Sequence, residues 1–358
     1  MHPLKISILG AGKVGSALAG ALAGRPKFAV EVIDCSEDAI DRLRALNLPV
    51  AARSYGHRDE LPSLLAGRDV TVAAVPEAAA IEIAAAAVQA GSHYLDFSPA
   101  RPRTREVLAP LAEHRAVMTG CGVSPGFIDN VAGDLLETVS SVSDLTIRVG
   151  AIPRFPTNRL GYGQIWNVDS LIDEYTLPSA AVRDGRSVSL APLEEYEQIR
   201  IDGVAYEGFV TSGGLETLAT LADAGPRNIT FKTLRYPGHL DYMRFLLDDL
   251  GLRHRRDMLR SLLMNGLPQI DDDLLLLAVT AKGSREHRPS EKTLVYSFRP
   301  LGENNPFNAL NSVAAGYAAS LLSMLQSGAI AQSGFIAHHR FRASELLSGE
   351  FLNPLLKN

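Results

Sequence analysis

Over the first third of the chain, short apolar runs alternate with stretches of helical periodicity. Six runs read as strands: Ile6-Ser7-Ile8-Leu9, Phe28-Ala29-Val30-Glu31-Val32-Ile33, Pro49-Val50-Ala51-Ala52, Val70-Thr71-Val72-Ala73-Ala74-Val75, His93-Tyr94-Leu95-Asp96 and Ala116-Val117-Met118. Between them, helices are expected over 16–22, 39–45, 59–65, 77–89 and 107–114. Strand and helix at this interval predict βαβ units, parallel pairing and helices on both faces. The strands show little polar alternation, which fits burial on both sides.

From Asp144 the pattern changes. Strands are expected at 145–150, 200–203, 274–280 and 293–298, with helices near 168–174 and 240–250 and longer polar loops between. A helix expected over 308–326 is apolar on nearly all sides, so it should lie between domains or pack back on the first one. The fold class is therefore α/β, a Rossmann doubly wound parallel sheet plus a second α+β domain with a mixed sheet. The expected boundaries are 1–127 with 305–358 for the first domain and 128–304 for the second.

The first strand stops at Gly10-Ala11-Gly12-Lys13-Val14-Gly15, a G-x-G-x-x-G turn followed by helix formers. Gly10 permits the turn, Gly12 lets the backbone approach a pyrophosphate, and Gly15 allows close helix–strand packing. The anion would sit on the free N–H groups of the helix start, including Lys13 and Val14. Asp34 ends the second strand, nineteen residues beyond Gly15. There a carboxylate bonds both hydroxyls of an adenosine ribose and repels a 2′-phosphate, so the expected cofactor is NAD. Ligands bind beyond the carboxyl ends of such strands, which adds Val75, Pro76, Ser98 and Gly122 as cofactor contacts and Asp96 as a candidate proton carrier. The loop Gly120-Cys121-Gly122-Val123-Ser124-Pro125-Gly126 suits either close approach to the nicotinamide or a plain turn in which Pro125 opens the next helix.

Composition removes several alternatives. With 358 residues, two domains are the natural expectation, and the net charge of -5 offers no nucleic-acid footprint. The cluster Arg253-His254-Arg255-Arg256 reads as a solvated helix face. Cys35 and Cys121 cannot form a disulfide framework, no metal is expected, and the N-terminus lacks a signal layout, so the expected location is cytoplasmic. The apolar stretches 78–90 and 312–325 are interrupted by Glu82, Gln89, Tyr317 and Ser320, and read as buried helices rather than membrane spans.

Polar groups gather in two stretches of the middle. Thr211-Ser212-Gly213-Gly214 has the hydroxyls and bare backbone of a ligand-contact loop. Lys232-Thr233-Leu234-Arg235-Tyr236-Pro237-Gly238-His239 holds two cations, a phenol and an imidazole. If 230–236 is a strand, Lys232, Leu234 and Tyr236 share one face and Thr233 and Arg235 the other. Arg235 could fork a substrate carboxylate and His239 or Tyr236 could handle a proton; a charged hairpin edge is the structural alternative.

These motifs resemble the saccharopine dehydrogenase-like family, which includes saccharopine reductase and lysine 6-dehydrogenase. The resemblance runs from the glycine turn to the helix near Ser312. It is carried by Gly122-Val123-Ser124-Pro125-Gly126, Gly150-Ala151-Ile152-Pro153, Leu171-Ile172-Asp173-Glu174-Tyr175-Thr176, Thr211-Ser212-Gly213-Gly214 and Lys232 to His239. Saccharopine reductases carry Asp-Pro-Gly in place of Ser124-Pro125-Gly126, a Cys in place of Val149, and Asn-Arg-Asp near Thr211. The closer likeness is thus to lysine 6-dehydrogenase, although the stretch from Asn158 to Gly163 and Trp166 depart from that enzyme too.

The resemblance implies an NAD-dependent oxidoreductase acting on a CH–NH or CH–NH2 group, with oxidative deamination of L-lysine as the leading reaction. The implied roles are His239, Tyr236 and Asp96 for proton transfer, in that order, Arg235 as carboxylate clamp, and Lys232, Thr211 and Ser212 as further substrate contacts. Its partners would be a small amine or amino acid and a second copy in a homodimer, with no nucleic acid and no membrane. The alternatives are a condensing reductase of the saccharopine or carboxynorspermidine type, and a non-catalytic NAD-responsive sensor.

Overall fold

A computed structural model of the protein describes all residues except Met1, Ala100, Ser140, Glu216, Thr217, Ala224, Glu286, His287, Glu303, Asn304, Lys357 and Asn358. Two compact units divide the chain. The first comprises Met1–Phe127, Asn311–His338 and Glu345–Pro354; the second comprises Ile128–Leu310, His339–Ser344 and Leu355–Asn358.

The strands of the first unit are β1 (Leu4–Leu9), β2 (Phe28–Asp34), β3 (Ala51–Ser54), β4 (Val70–Ala73), β5 (His93–Asp96) and β6 (Ala116–Met118). In the second unit they are β7 (Asp144–Pro153), β8 (Ser179–Arg183), β9 (Arg186–Leu190), β10 (Glu197–Ile201), β11 (Val204–Val210), β12 (Asn228–Arg235), β13 (Asp273–Arg285) and β14 (Arg288–Phe298). The chain then returns to the first unit and adds β15 (Gly334–Phe335).

The first sheet has the order β15-β6-β5-β4-β1-β2-β3, with every pair parallel. This is the doubly wound sheet that the alternation predicts, plus one strand. Only two residues of β15 pair, with Ala116 and Val117, too few to leave an apolar signature. Central residues such as Ile6, Ile8, Val32, Val72 and Leu95 are fully buried, as strands covered on both faces should be. Winding reverses at β1, which lies between β2 and β4, so the ligand crevice of such a sheet opens at the carboxyl end of β1. The helix Ala309–Ser327 buries Val313, Ala315, Tyr317, Ala318, Leu321 and Leu322, and from Asn311 onward it is part of the first unit. The helix expected from 107 starts earlier, at Pro102, whose fixed φ and missing N–H suit a helix's first position.

The second unit holds a mixed sheet ordered β10-β11-β12-β7-β13-β14, with β8 paired to β12 and β9 to β8. The β12–β7 pair is parallel and the rest are antiparallel. The single strand expected at 200–203 is instead a hairpin. Asp202 and Gly203 adopt φ of 50° and 82° between β10 and β11, the left-handed pair that a tight two-residue turn demands. Asp184 and Gly185 do the same between β8 and β9, at 49° and 75°. The helix expected over 240–250 is His239–Arg244, continued by a π turn at Phe245–Asp249.

Candidate functional site

At the carboxyl end of β1 the backbone turns through Gly10, with φ of 112°. A Cβ on Gly10 would overlap the Ala74 carbonyl oxygen, and one on Gly15 would overlap that of Gly10, so both glycines serve close backbone packing. Gly12 is different: it is exposed, and nothing lies within 4 Å of where its Cβ would stand. It precedes the helix Lys13–Leu22 without a side-chain cap, and Lys13 is exposed and Val14 half-buried. Uncapped N–H groups beside an open glycine suit a phosphate.

Asp34 ends β2 with its carboxylate fixed. Oδ2 accepts the Ala11 N–H at 2.6 Å and Oδ1 accepts the Ser36 N–H at 2.8 Å. Each oxygen keeps a second lone pair for a hydroxyl donor. Glu37 is nearby and bonds the Ser54 hydroxyl, while Arg44 is paired with Glu37 and Asp41, and Arg53 with Glu31.

The other expected contacts lie at the same edge of the sheet. Half-buried Val75 and exposed Pro76 precede the helix Glu77–Ala90, and half-buried Ser98 follows β5 by two residues. Asp96 is 2% exposed; Oδ1 accepts the Gly120 N–H at 3.0 Å and Oδ2 the Tyr94 hydroxyl at 3.0 Å. Its carboxylate thus ties β5 to the loop after β6. In that loop the Gly122 carbonyl accepts the Phe127 N–H at 2.9 Å, and the Ser124–Pro125 peptide is cis. The helix begins only at Phe127, so Pro125 does not open it. Sequence reasoning missed what holds the loop's start: His338 Nε2 meets the Thr119 carbonyl at 2.5 Å and Nδ1 meets the Tyr317 hydroxyl at 2.6 Å. The carbonyl can only accept, so Nε2 is the donor in that bond.

In the second unit, Arg235 stands at the end of β12, on the face that carries Phe209 and the helix Val168–Thr176. Its guanidinium is 2% exposed overall and lies 4.7 Å from the Tyr162 ring centre and 5.7 Å from that of Tyr175. Nε donates to Tyr175 Oη at 2.9 Å, Nη1 to Thr233 Oγ1 at 2.5 Å and to the Leu234 carbonyl at 3.0 Å, and Nη2 to Glu174 Oε2 at 3.3 Å. Four of its five N–H groups are therefore engaged within the chain.

His239 is 1% exposed and lies against the same cluster. Nδ1 meets the Leu160 carbonyl at 2.8 Å, which makes it the donor, and Nε2 meets Tyr175 Oη at 3.0 Å as acceptor. A directed chain results, from Arg235 through the Tyr175 hydroxyl to the imidazole. Burial, with the Arg235 cation beside it, pushes His239 down to about 3, so the ring is neutral at physiological pH. Its helix is positioned by Glu207, which accepts the Gly238 and Leu240 N–H groups at 3.0 and 2.6 Å.

Tyr236 and Lys232 lie elsewhere. The Tyr236 hydroxyl donates to the Pro153 carbonyl at 3.0 Å, and its ring stands 5.7 Å from Tyr206. Lys232 pairs in register with Arg148 on the opposite face of the sheet from Arg235. Its Nζ donates to the Glu195 carbonyl at 2.7 Å and stands 3.6 Å from Glu197, which is also bridged by Arg148. Ser212 bonds back to the helix, its hydroxyl to the Asp173 carbonyl at 2.9 Å and its N–H to the Glu174 carbonyl at 3.2 Å. Thr211 is fully buried, and its Oγ1 has no hydrogen-bond partner.

The cluster's carboxylate, Glu174, carried no role in the sequence reading. Burial pushes it up to about 7, against the lowering pull of Arg235. Its sequence signal was its place in Leu171-Ile172-Asp173-Glu174-Tyr175-Thr176, a stretch that carried the family resemblance without assigning a role to any one residue. Tyr162 and Tyr175 were missed as well: their value lies in contacts to residues far along the chain.

Among the described residues, no group of three or more His, Cys, Asp or Glu could hold a metal ion, and no helix is long and apolar enough to cross a membrane.

Residues 6–118 match the saccharopine dehydrogenase NADP binding domain, and residues 122–355 match the saccharopine dehydrogenase C-terminal domain. Among solved structures, the chain is similar to saccharopine dehydrogenase (L-Glu forming) from Saccharomyces cerevisiae. The TM-score is 0.79 and the identity 16%, over 96% of each chain. It also matches GenD2 from gentamicin A biosynthesis in complex with NAD, at TM-score 0.46 and 15% identity over 99% of this chain and 93% of that one. A third match is a myo-inositol dehydrogenase from Corynebacterium glutamicum, at 0.48 and 16% over 98% and 95%. At these identities the likeness to the yeast enzyme is one of fold.

Proposed function

The chain belongs to the saccharopine dehydrogenase family of nicotinamide-dependent oxidoreductases, and from that premise we propose that it oxidises a primary amine or amino acid with NAD, L-lysine being the leading substrate. The observation that carries the choice of NAD is Asp34. A fixed carboxylate at the end of β2 pairs with ribose hydroxyls and repels a 2′-phosphate. Glu37 adds a second negative charge beside it, and Arg44 and Arg53 are both committed to carboxylates.

In this reading Gly10, Gly12, Gly15 and the N–H groups of Lys13 and Val14 hold the pyrophosphate, and Val75, Pro76, Ser98 and Gly122 line the cofactor. When bound, the nicotinamide supplies the hydride acceptor. The substrate side belongs to the Arg235 cluster, with Thr211 and Ser212 beside it. Arg235 has one N–H left for a substrate carboxylate and otherwise holds Glu174 and Tyr175 in place. The protein would act as a homodimer in the cytoplasm.

A second reading, a condensing reductase that joins an amine to a carbonyl compound, is favoured by the saccharopine dehydrogenase match over residues 122–355. One assay separates the two. Reduced-nicotinamide formation is followed with NAD or NADP and a panel of L-lysine, saccharopine and polyamines. Reduction of NAD by an amine alone supports the first reading. Cofactor oxidation that needs both an amine and an aldehyde or keto acid supports the second. Silence throughout overturns both and leaves an NAD-responsive sensor.

A further inference from the structure

We infer that Glu174 is the catalytic base, the group that takes the proton from the substrate ammonium; the assignment rests on the amine-oxidation reading above. Access is the first ground. Tyr162, Tyr175, Arg235 and His239 are each at most 2% exposed, whereas the Glu174 side chain keeps 22% of its surface. Of the cluster, Glu174 is the member most open to a solute.

Free valence is the second ground. Among the described residues, the side-chain partner of the Glu174 carboxylate is Arg235, through Oε2 alone. The other candidate proton carriers are committed: both nitrogens of His239 are bonded, and the Tyr236 hydroxyl, away from the cluster, donates to the Pro153 carbonyl. Asp96 is buried in the first unit, where one oxygen accepts from Tyr94 and the other from Gly120.

A third ground lies one residue from Ser212, whose N–H holds the Glu174 carbonyl. There the buried Thr211 hydroxyl lacks any partner. A buried hydroxyl left unsatisfied, next in sequence to the residue that holds the Glu174 backbone, is a group that a ligand's polar atom can complete.

The electrostatics agree. The groups facing Glu174 are the Arg235 cation from β12, the neutral imidazole of His239, and the phenols of Tyr175 and Tyr162, both pushed up by burial. Arg235 keeps the carboxylate attainable, and burial raises it to about 7. An ordinary Glu would take a proton from a lysine ammonium at odds of about one in a million; at about 7 the odds improve to about one in a few thousand. Both forms are present near neutrality, as a base that must also release its proton requires.

The step balances. The ammonium N–H bond breaks and an O–H bond forms on Glu174. With a bound nicotinamide as the two-electron acceptor, the nitrogen lone pair would become the C=N bond as the carbon gives up its hydride, so the amine would be oxidised and the dinucleotide reduced. Water adds to the iminium carbon, ammonium departs, and an aldehyde remains. Glu174 returns its proton to solvent through its exposed edge.

The test uses the full chain and the variant Glu174→Gln, which keeps the shape and removes the titration. In the wild type, kcat/KM for the amine should rise with pH through about 7. The variant should lose that limb and fall about 100-fold or more, with an unchanged melting temperature at low pH and unchanged NAD affinity by calorimetry. Carbon-13 spectra of carboxyl-labelled glutamates, recorded without substrate, should show one resonance that titrates near 7 and is missing in the variant. A variant that keeps its rate within threefold and its acidic limb, or a Glu174 resonance titrating near 4.5, overturns the assignment and leaves the amine reading standing. A wild type that forms no reduced nicotinamide with any amine overturns that reading, and the base with it.

Discussion

Between Gly10 and Asp34 polar contacts are made by backbone N–H groups and one carboxylate, all from a single strand–helix–strand segment. Around Arg235 they are made by side chains from Tyr162, Glu174, Tyr175, Thr233 and His239, which meet only because a helix and a loop pack on β12. The first centre is open, with Gly12 and Lys13 exposed; the second is sealed except at Glu174. On the proposed reading, the difference follows from what each would bind. A pyrophosphate is the same in every dinucleotide, so a helix start and a glycine suffice. A particular substrate needs particular groups, and held side chains supply them.

The largest expected effect breaks the sealed centre. Arg235→Met leaves the Tyr175 hydroxyl and the Glu174 carboxylate without their cation. Losing one partner of such a buried pair costs about 3–5 kcal/mol, read as a fall in melting temperature and denaturant midpoint. Arg235→Lys should not restore it, because an ammonium cannot reach Tyr175, Thr233 and Glu174 from one fork. A loss below about 1 kcal/mol would mean that the cluster is not integral to the second unit.

Next in size is a pH effect on stability. Glu174 is raised from 4.5 to about 7 in the folded protein, so the folded state holds its proton more tightly than the unfolded chain. The contribution is fully present below about 4.5 and is lost as pH climbs through about 7, on the order of 3 kcal/mol at most. Denaturant melts at pH 4.5 and pH 8 should show a larger loss in the wild type than in Glu174→Gln, which keeps the part due to Asp273, itself raised to about 6. The reverse trend, stability gained on raising the pH, would show that Arg235 outweighs burial at this site.

How far each centre could be read in advance follows the same division. The glycine turn and Asp34 are contiguous signals whose chemistry is local, and the winding of the first sheet follows from alternation alone. In the second unit, Asp184-Gly185 and Asp202-Gly203 are tight-turn signals that the sequence carries openly, yet they lie between strands with mixed polarity, where no apolar run draws attention. Glu174 lay in a stretch that carried the family resemblance, yet its role went unread for a deeper reason. Its chemistry comes from burial and from Arg235, 61 residues away, and neither leaves a mark in Leu171-Ile172-Asp173-Glu174. His239 was conspicuous because imidazole titrates near neutrality in water, but the fold surrounds it with Tyr175, Leu160 and a cation, which removes that property.

The open centre can be dissected at its glycines. Gly15→Ala forces a Cβ onto the Gly10 carbonyl, so it should cost about 1–3 kcal/mol of stability and weaken NAD binding with it. Gly12→Ala meets nothing within 4 Å. Its stability should fall by about 0.5–1 kcal/mol, the ordinary difference between Gly and Ala at an N-cap. Calorimetric NAD affinity should fall too, because the added methyl stands where the pyrophosphate approaches. If Gly12→Ala binds NAD as the wild type does, the open space there is not the phosphate site.

The smallest effect is expected at Thr211, and it is informative because it should be small. Ser212 offers the contrast, since its hydroxyl is bonded to the Asp173 carbonyl, and Ser212→Ala should cost about 1 kcal/mol. The Thr211 hydroxyl is fully buried and bonded to nothing, so the folded protein already bears its desolvation. Thr211→Val keeps the shape and removes that burden, and stability should hold or rise by up to about 1 kcal/mol. If the hydroxyl is kept for a ligand, the same variant raises KM for the amine while the KM for NAD stays fixed. A stability loss equal to that of Ser212→Ala would show that the hydroxyl has a partner within the fold, and Thr211 would then leave the substrate side to Glu174 and Arg235 alone.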